Sequence, residues 1–387
     1  MDAGCEEESR RNRDCPKGRA ALSRQHIQAP GLAGGHGSCA GKSGKIGVGF
    51  IGLGHNGVAH IDAHRAVGKS EIVALCDRNE ERLRAAGERF GVRRLYRDLE
   101  ILDDPRVEAV SINTGDGAHC EPFVAAMKKG KHVLIEKPLA NSEEAVAEMV
   151  AAYHAAHGRL KVQVGYILRF NPLWEAVHRT AREGRLGDIY YMEGDYIHNL
   201  LYQAKQTDTA TGRNWYLEEE IPMVGGGSHP LDLLRWISGK EVVSAAGFST
   251  HAAFPEMKND DCQVALFRFE DGSIAKVAAL YAPRCGMAPH YNVRVYGTLG
   301  TVERDTMAVS AGPDDVHPAF RPIEVPQISG HPYNREVEDW LDAIAQDRLP
   351  RTPLCDGANS TVATLGAVRA LREGCTVAIP VYREQKS

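Results

Sequence analysis

No apolar run in this 387-residue chain approaches the roughly 18 residues that a transmembrane helix needs, so a spanning helix is not expected. There is no C-x-x-C spacing either. The nine cysteines stand singly at 5, 15, 39, 76, 120, 262, 285, 355 and 375. Such scatter supports neither a disulfide framework nor a zinc knuckle, and a reducing, cytoplasmic setting is expected. Basic residues are not in excess: 46 Lys and Arg against 51 Asp and Glu leave a net charge of −5. General binding to nucleic acid or to an anionic membrane is therefore not expected. Internal repeats are absent. What remains is an ordinary globular composition, 43% hydrophobic and 25% charged, at a length that suggests two domains.

Residues 1–44 are rich in Gly, Ser, Arg and Glu and have little apolar periodicity. They lack the apolar centre of a signal peptide, and Arg10-Arg11 is not followed by an apolar segment. The stretch 35–43 resembles a phosphate loop, but five residues intervene where four are required, and no strand precedes it. This segment reads as a disordered tail.

The most informative stretch is Lys45-Ile46-Gly47-Val48-Gly49-Phe50-Ile51-Gly52-Leu53-Gly54-His55-Asn56-Gly57, an apolar strand running into G-x-G-x-x-G. Gly52 permits a tight turn, Gly54 lets a phosphate approach the backbone, and Gly57 lets the next helix pack closely. Free N–H groups at that helix start form an anion site suited to a pyrophosphate. A second strand over 71–77 ends in Asp77, twenty residues after Gly57. There a dinucleotide fold places the carboxylate that binds a ribose hydroxyl. Asp77 favours NAD over NADP by charge, whereas Arg78 could pair with a 2′-phosphate and keeps NADP possible.

Strands and helices alternate from 45 to 167, the mark of a doubly wound α/β domain. Helices are expected over 79–90 and 120–129. Another starts at Asn141, with Glu144 in the capping-box position, and runs to about His157. Strands are expected over 107–113, 131–135 and 161–167. Because parallel strands end on one edge, Gly52, Asp77, Thr114, Glu136 and Lys137 should converge on one crevice. After a helix over 172–184, alternating segments at 189–197, 242–248, 263–269, 274–280 and 293–296 read as an open, mainly antiparallel sheet. Asp271-Gly272 marks a hairpin. Helices over 336–346 and 359–372 follow. The expected architecture is a Rossmann domain at 45–167 and an α+β substrate-binding and oligomerisation domain at 168–387, whose last helix could pack back on the first domain.

Glu136-Lys137-Pro138, taken with the glycine motif, resembles the Gfo/Idh/MocA oxidoreductases, the glucose–fructose oxidoreductase and inositol dehydrogenase group. Further similarities are Thr114 with His119, Val164-Gly165-Tyr166 with Arg169-Phe170-Asn171-Pro172, and Gly227-Ser228-His229 leading into Asp232-Leu233-Leu234-Arg235-Trp236. The resemblance covers about 45–382. It implies an NAD(P)-dependent dehydrogenase of a sugar, cyclitol or related polyol, assembled as a homodimer or homotetramer through the open sheet. It also implies that Lys137 lies beside the nicotinamide and the substrate hydroxyl. A desolvated lysine at a strand end suits proton transfer and alkoxide stabilisation, and Pro138 would set the turn, with a cis bond open.

His229, at a helix start with Pro230 next, is the second catalytic candidate, kept near-neutral by the helix dipole. The family usually carries an aspartate four residues before this histidine; here that residue is Gly225. Asp232, one turn onward, is the nearest substitute and more plausibly anchors the helix. Arg169 is a candidate for cofactor or substrate oxygens, and Tyr166 and Trp215 for the substrate pocket. Tyr196, His198, His290, Tyr291 and His331 read as packing or surface groups. His60 and His64 have metal-compatible spacing but no third ligand, so no metal site is expected. Two other functions stay open: a redox-neutral, glycoside-cleaving or eliminating enzyme on a retained NAD, suggested by Gly225, and a non-catalytic nucleotide sensor.

Overall fold

A computed structural model describes residues 44–156, 159–201, 214–284, 286, 289–312 and 314–385. The tail expected up to residue 44 lies, but for Gly44, outside the described residues, as does a helix end at His157.

The first sheet is built from runs that are apolar on both faces. Its strands are β1 (Ile46–Ile51), β2 (Ser70–Cys76), β3 (Leu95–Tyr96), β4 (Ala109–Ile112), β5 (His132–Ile135) and β6 (Val162–Val164), all parallel in the order β3-β2-β1-β4-β5-β6. Strands buried on both sides need no alternation, which is why β4 and β5 read as continuous apolar runs. The order reverses between β1 and β4, so the crevice opens where the ends of these two strands part. Helices α1 (His55–Val67), α2 (Glu80–Phe90), α3 (Cys120–Lys128) and α4 (Glu143–Ala155) cover its faces. Helix α4 begins one residue later than expected. Ser142 is extended and its hydroxyl accepts from Ala145 N, so Ala145 occupies the third helical position and Glu144 forms no capping box. Strand β6 is shorter than expected, because Tyr166 N donates to Val164 O and the chain coils into a 3₁₀ turn over Ile167–Phe170.

That turn leads into α5 (Pro172–Arg182) and a second sheet. Strands β7 (Ile189–Ile197), β8 (Val242–Thr250), β9 (Cys262–Phe269), β10 (Ile274–Leu280), β11 (Arg294–Gly297), β12 (Gly300–Glu303), β13 (Thr306–Val309), β14 (Arg321–Pro322) and β15 (Val377–Ala378) lie in the order β14-β13-β12-β11-β7-β10-β9-β8-β15. All neighbours are antiparallel except β7 and β10. Gly272, at φ +90°, makes the hairpin between β9 and β10. Short helices α6 (Trp215–Glu218) and α7 (Pro222–Gly225) precede α8 (Ser228–Ser238). Near the end, α9 (Tyr333–Ala345) packs on α1, and its Val337, Trp340 and Leu341 share a core with Val48 and Phe50 of β1. Helix α10 (Leu354–Glu373) packs on α4, β6 and β8, and so touches both sheets. No helix among the described residues is long and apolar enough to cross a membrane.

Three residues assigned to the pocket from sequence belong instead to the buried joint between the sheets. Arg169 is 1% exposed, and its Nε and Nη2 donate to the two oxygens of Asp232 on α8, each at 2.7 Å. The same guanidinium reaches Asp356 on α10. Asp232 also accepts from Ser360 Oγ at 2.6 Å, and Arg235 joins Asp356 at 3.0 Å. Arg169 and Asp232 therefore have their polar groups committed to each other and line neither of the cavities described below. Tyr166 is likewise buried, with its hydroxyl 3.2 Å from Thr361 Oγ1. Burial alone would raise Asp356, but the charges of Arg169 and Arg235 hold its carboxyl down at about 2.

Removing Arg169 strands the buried Asp232. Arg169→Met is expected to cost about 3–5 kcal/mol of unfolding free energy, with partial recovery on adding Asp232→Asn. Urea unfolding of the two variants checks this; a loss confined to cofactor affinity would return Arg169 to the pocket.

Candidate active site

The glycine loop is held open by its own backbone. Gly52 has φ +88°, a conformation that L side chains rarely adopt. A Cβ on Gly57 would stand 2.0 Å from Gly52 O, so glycine alone lets α1 start this close to β1. A Cβ on Gly54 would meet nothing within 4 Å. Its backbone therefore faces the open side of a cavity of about 1100 Å³ lined by Gly52, Gly54, His55, Asn56, Asp77, Arg78, Thr114 and Trp215, among others. Asp77 braces the loop: Oδ2 accepts from Leu53 N and Oδ1 from Asn79 N, each at 2.8 Å. Arg78 is exposed on the same wall, 3.4 Å from Glu121, and Arg82 approaches Asp77 at 3.5 Å.

The remaining residues expected at the cofactor stand behind this wall. His119 is buried between two carbonyl oxygens, Thr114 O at 3.0 Å and Pro138 O at 2.9 Å. It ties the loop after β4 to the turn after β5 and lines neither cavity, because both ring nitrogens face backbone. Glu136 is also enclosed: His60 Nε2 lies 3.1 Å from Oε1, and Lys137 N donates to Oε2. Burial would raise this carboxyl, but the hydrogen bond and charge of His60, with the charge of Lys137, hold it below the usual range. His60 is thereby a partner of Glu136, while His64 Nδ1 pairs with Ser70 Oγ at 2.7 Å. The Lys137–Pro138 bond is cis.

Lys137 itself is brought to the site. Its Nζ donates to the carbonyl of Gly225 at 2.9 Å, across 88 residues of chain. It lines a second cavity of about 160 Å³ together with Asn56, Asp116, Tyr196, His198, Trp215, Glu220 and Tyr281. Asn56, Asp116, Trp215 and Tyr216 line both cavities, so the two adjoin across these side chains. Trp215 stands between them, with its indole edge near Gly115.

His229 lies one layer back. Its ring stacks on Tyr196 at 6.2 Å between centroids and meets Tyr291 edge-on. Its Nδ1 is buried without a hydrogen-bond partner. Burial first, then the charges of Lys137 and His331, hold the imidazole well below its ordinary value, so it is neutral.

Sequence reasoning passed over Glu220. It is 4% exposed and accepts the Tyr281 hydroxyl on Oε1, while Oε2 is buried and unpartnered. Burial and the nearby Asp116 push its carboxyl up to about 8, against the opposing effects of Lys137 and the Tyr281 hydrogen bond. The available signal was weak: it is the last of three consecutive glutamates, and nothing local says which of them turns inward.

Comparison with known proteins identifies the family. Residues 46–166 match the family model described as oxidoreductase family, NAD-binding Rossmann fold, and residues 174–303 match the GFO/IDH/MocA C-terminal domain. Inositol 2-dehydrogenase 2 of Saccharopolyspora erythraea is 28% identical over 345 residues, covering 86% of this chain and 95% of its own. D-apiose dehydrogenase of Paraburkholderia graminis is 29% identical over 343 residues, covering 85% and 88%. Among solved structures, a levoglucosan dehydrogenase in complex with NADH superposes with a TM-score of 0.75 at 23% identity, over 87% of this chain and 100% of that one. An oxidoreductase domain protein from Kribbella flavida reaches 0.78 at 23% identity, over 87% and 99%. The structural likenesses establish a shared fold. With the two matched models together spanning more than half of its length, the chain belongs to the GFO/IDH/MocA family of oxidoreductases.

Proposed function

We propose that this chain is an NAD-dependent dehydrogenase that oxidises a secondary alcohol of a sugar, cyclitol or related polyol, or reduces the corresponding ketone. The observation that carries the reading is Lys137 Nζ, held on Gly225 O in a small polar cavity that adjoins the glycine-loop cavity. The glycine loop fits a dinucleotide: Gly54 leaves the cradle open, the first residues of α1, His55 and Asn56, line it, and Asp77 stands where a ribose would lie. Bound there, NAD would supply the hydride acceptor. The chain's own residues would position the alcohol, exclude water and stabilise the oxygen as its proton leaves. The second cavity favours a polyhydroxylated occupant, because Lys137, His198, Glu220 and Asp116 offer charge and hydrogen bonds around a small volume. The names of the two relatives, an inositol and an apiose dehydrogenase, support the same substrate class.

We further propose a homodimer or homotetramer through the second sheet. Phe248 on β8 is 88% exposed and Leu266 on β9 is 54% exposed, an apolar surface that a second copy would cover. Light scattering should give a dimer or tetramer; a monomer would count against it.

Purified protein should bind NADH and reduce NAD with at least one member of an inositol and aldose panel. Lys137→Met should lower kcat/KM by about 10²–10⁴-fold while NADH affinity measured by fluorescence stays unchanged. Asp77→Ala should weaken NADH by about 10-fold or more and narrow the preference over NADPH, since a charged hydrogen bond to the ribose is lost. Absence of NADH and NADPH binding would refute the proposal.

A further inference from the structure

One buried carboxyl at the site is not used by the reading above. Glu220 lies just before α7, closed off from solvent, with Oε2 unpartnered. A Cβ built on Gly225 would stand 1.9 Å from Glu220 Oε1, 2.6 Å from its carboxyl carbon and 2.7 Å from Oε2. The Glu220 carboxylate therefore occupies the space that a side chain at 225 would fill. That is the position, four residues before His229, where the family resemblance led us to expect an aspartate. Glycine at 225 makes the room, and its backbone carbonyl holds Lys137.

We propose that Glu220 carries the catalytic carboxylate in place of the expected aspartate at 225, and that it accepts the proton of the substrate hydroxyl beside Lys137. The assignment rests on the dehydrogenase reading. The carbinol C–H electrons leave with that hydrogen as hydride to the oxidised nicotinamide dinucleotide. The O–H bond breaks and its proton forms a new O–H bond on Glu220, and the oxygen's electron pair closes the C=O bond. After product leaves, the protonated carboxyl releases its proton to water entering the cavity that Glu220 lines.

Glu220 is suited to this exchange. With its carboxyl near 8, both forms are accessible around neutrality. The charged and titratable groups around it are Lys137 after β5, Asp116 after β4 and Tyr281 after β10, with Tyr196 of β7 and His198 just after it on the cavity wall. Lys137 favours the ionised form and Asp116 the neutral one. Alcohol oxidation requires the carboxylate, so kcat for oxidation should rise as pH increases through about 8, and ketone reduction should fall over the same range.

The test uses Glu220→Gln, Gly225→Asp, Glu220→Gly and the double variant Glu220→Gly with Gly225→Asp. Glu220→Gln preserves size and the bond from Tyr281. It should lower kcat for oxidation by about 10²–10⁴-fold and abolish the pH limb, with NADH affinity and melting temperature close to those of the native protein. Gly225→Asp alone should lower the melting temperature, because it forces a second carboxylate onto Glu220. In the double variant the melting temperature should recover, and oxidation should exceed that of Glu220→Gly by about 10-fold or more, since the carboxylate has only moved. A native-like kcat and pH limb in Glu220→Gln would overturn the proposal, as would a Gly225→Asp protein as stable as the native one. If native protein binds NADH but turns over no polyol, the dehydrogenase reading fails and the catalytic role with it; the melting series still reports separately whether Glu220 fills the space at 225.

Discussion

Burying Arg169 between Asp232 and Asp356 determines where everything at the site can be. The chain leaves the first sheet at β6, coils once, and presents this guanidinium to α8 and α10 together. Helix α8 carries His229 near its start and follows directly on the segment that holds Glu220 and Gly225. Pinning it therefore sets that segment over the ends of β4 and β5, where Lys137 can reach Gly225 O. A buried ion pair is costly to break because one partner is left charged and unpaired. That cost gives the joint a single geometry, and proton transfer needs a single geometry.

Within this frame the two halves of the site work by different physics. The dinucleotide half is mostly backbone: a positive φ at Gly52, a contact at Gly57 that only glycine permits, and open space at Gly54. The other half depends on side chains withdrawn from water. His229 is held neutral by burial, Glu220 is raised by burial and Asp116, and Lys137 faces both from the strand end. The charge of Lys137 lowers both His229 and Glu220, so its loss would raise the proton affinity of each.

How much of this could be read in the chain follows from how local each feature is. The glycine loop, Asp77 and the alternating strands β7, β9 and β10 are set by neighbours within a few residues, and spacing alone reveals them. Arg169, Tyr166 and Asp232 were legible as important but not in their role. Their partners Asp356, Thr361 and Ser360 lie more than a hundred residues away, and no local pattern says that a guanidinium will be enclosed. His119 and Glu136 were misplaced for a different reason: their partners are nearer in the chain, but spacing does not show that the ring turns inward to backbone carbonyls and the carboxyl to His60. Glu220 was hidden differently. Gly225 read as a missing acid, and only three-dimensional overlap shows the space at 225 filled from five residues upstream.

The account's central claim is that dinucleotide and polyol meet between Lys137 and Glu220. A crystal structure of the ternary complex with NADH and a non-reacting polyol tests it most directly. The account predicts the pyrophosphate over Gly54 and a polyol oxygen within hydrogen-bond distance of both Lys137 Nζ and Glu220. A polyol bound away from both side chains, or a dinucleotide outside the glycine-loop cavity, would contradict it.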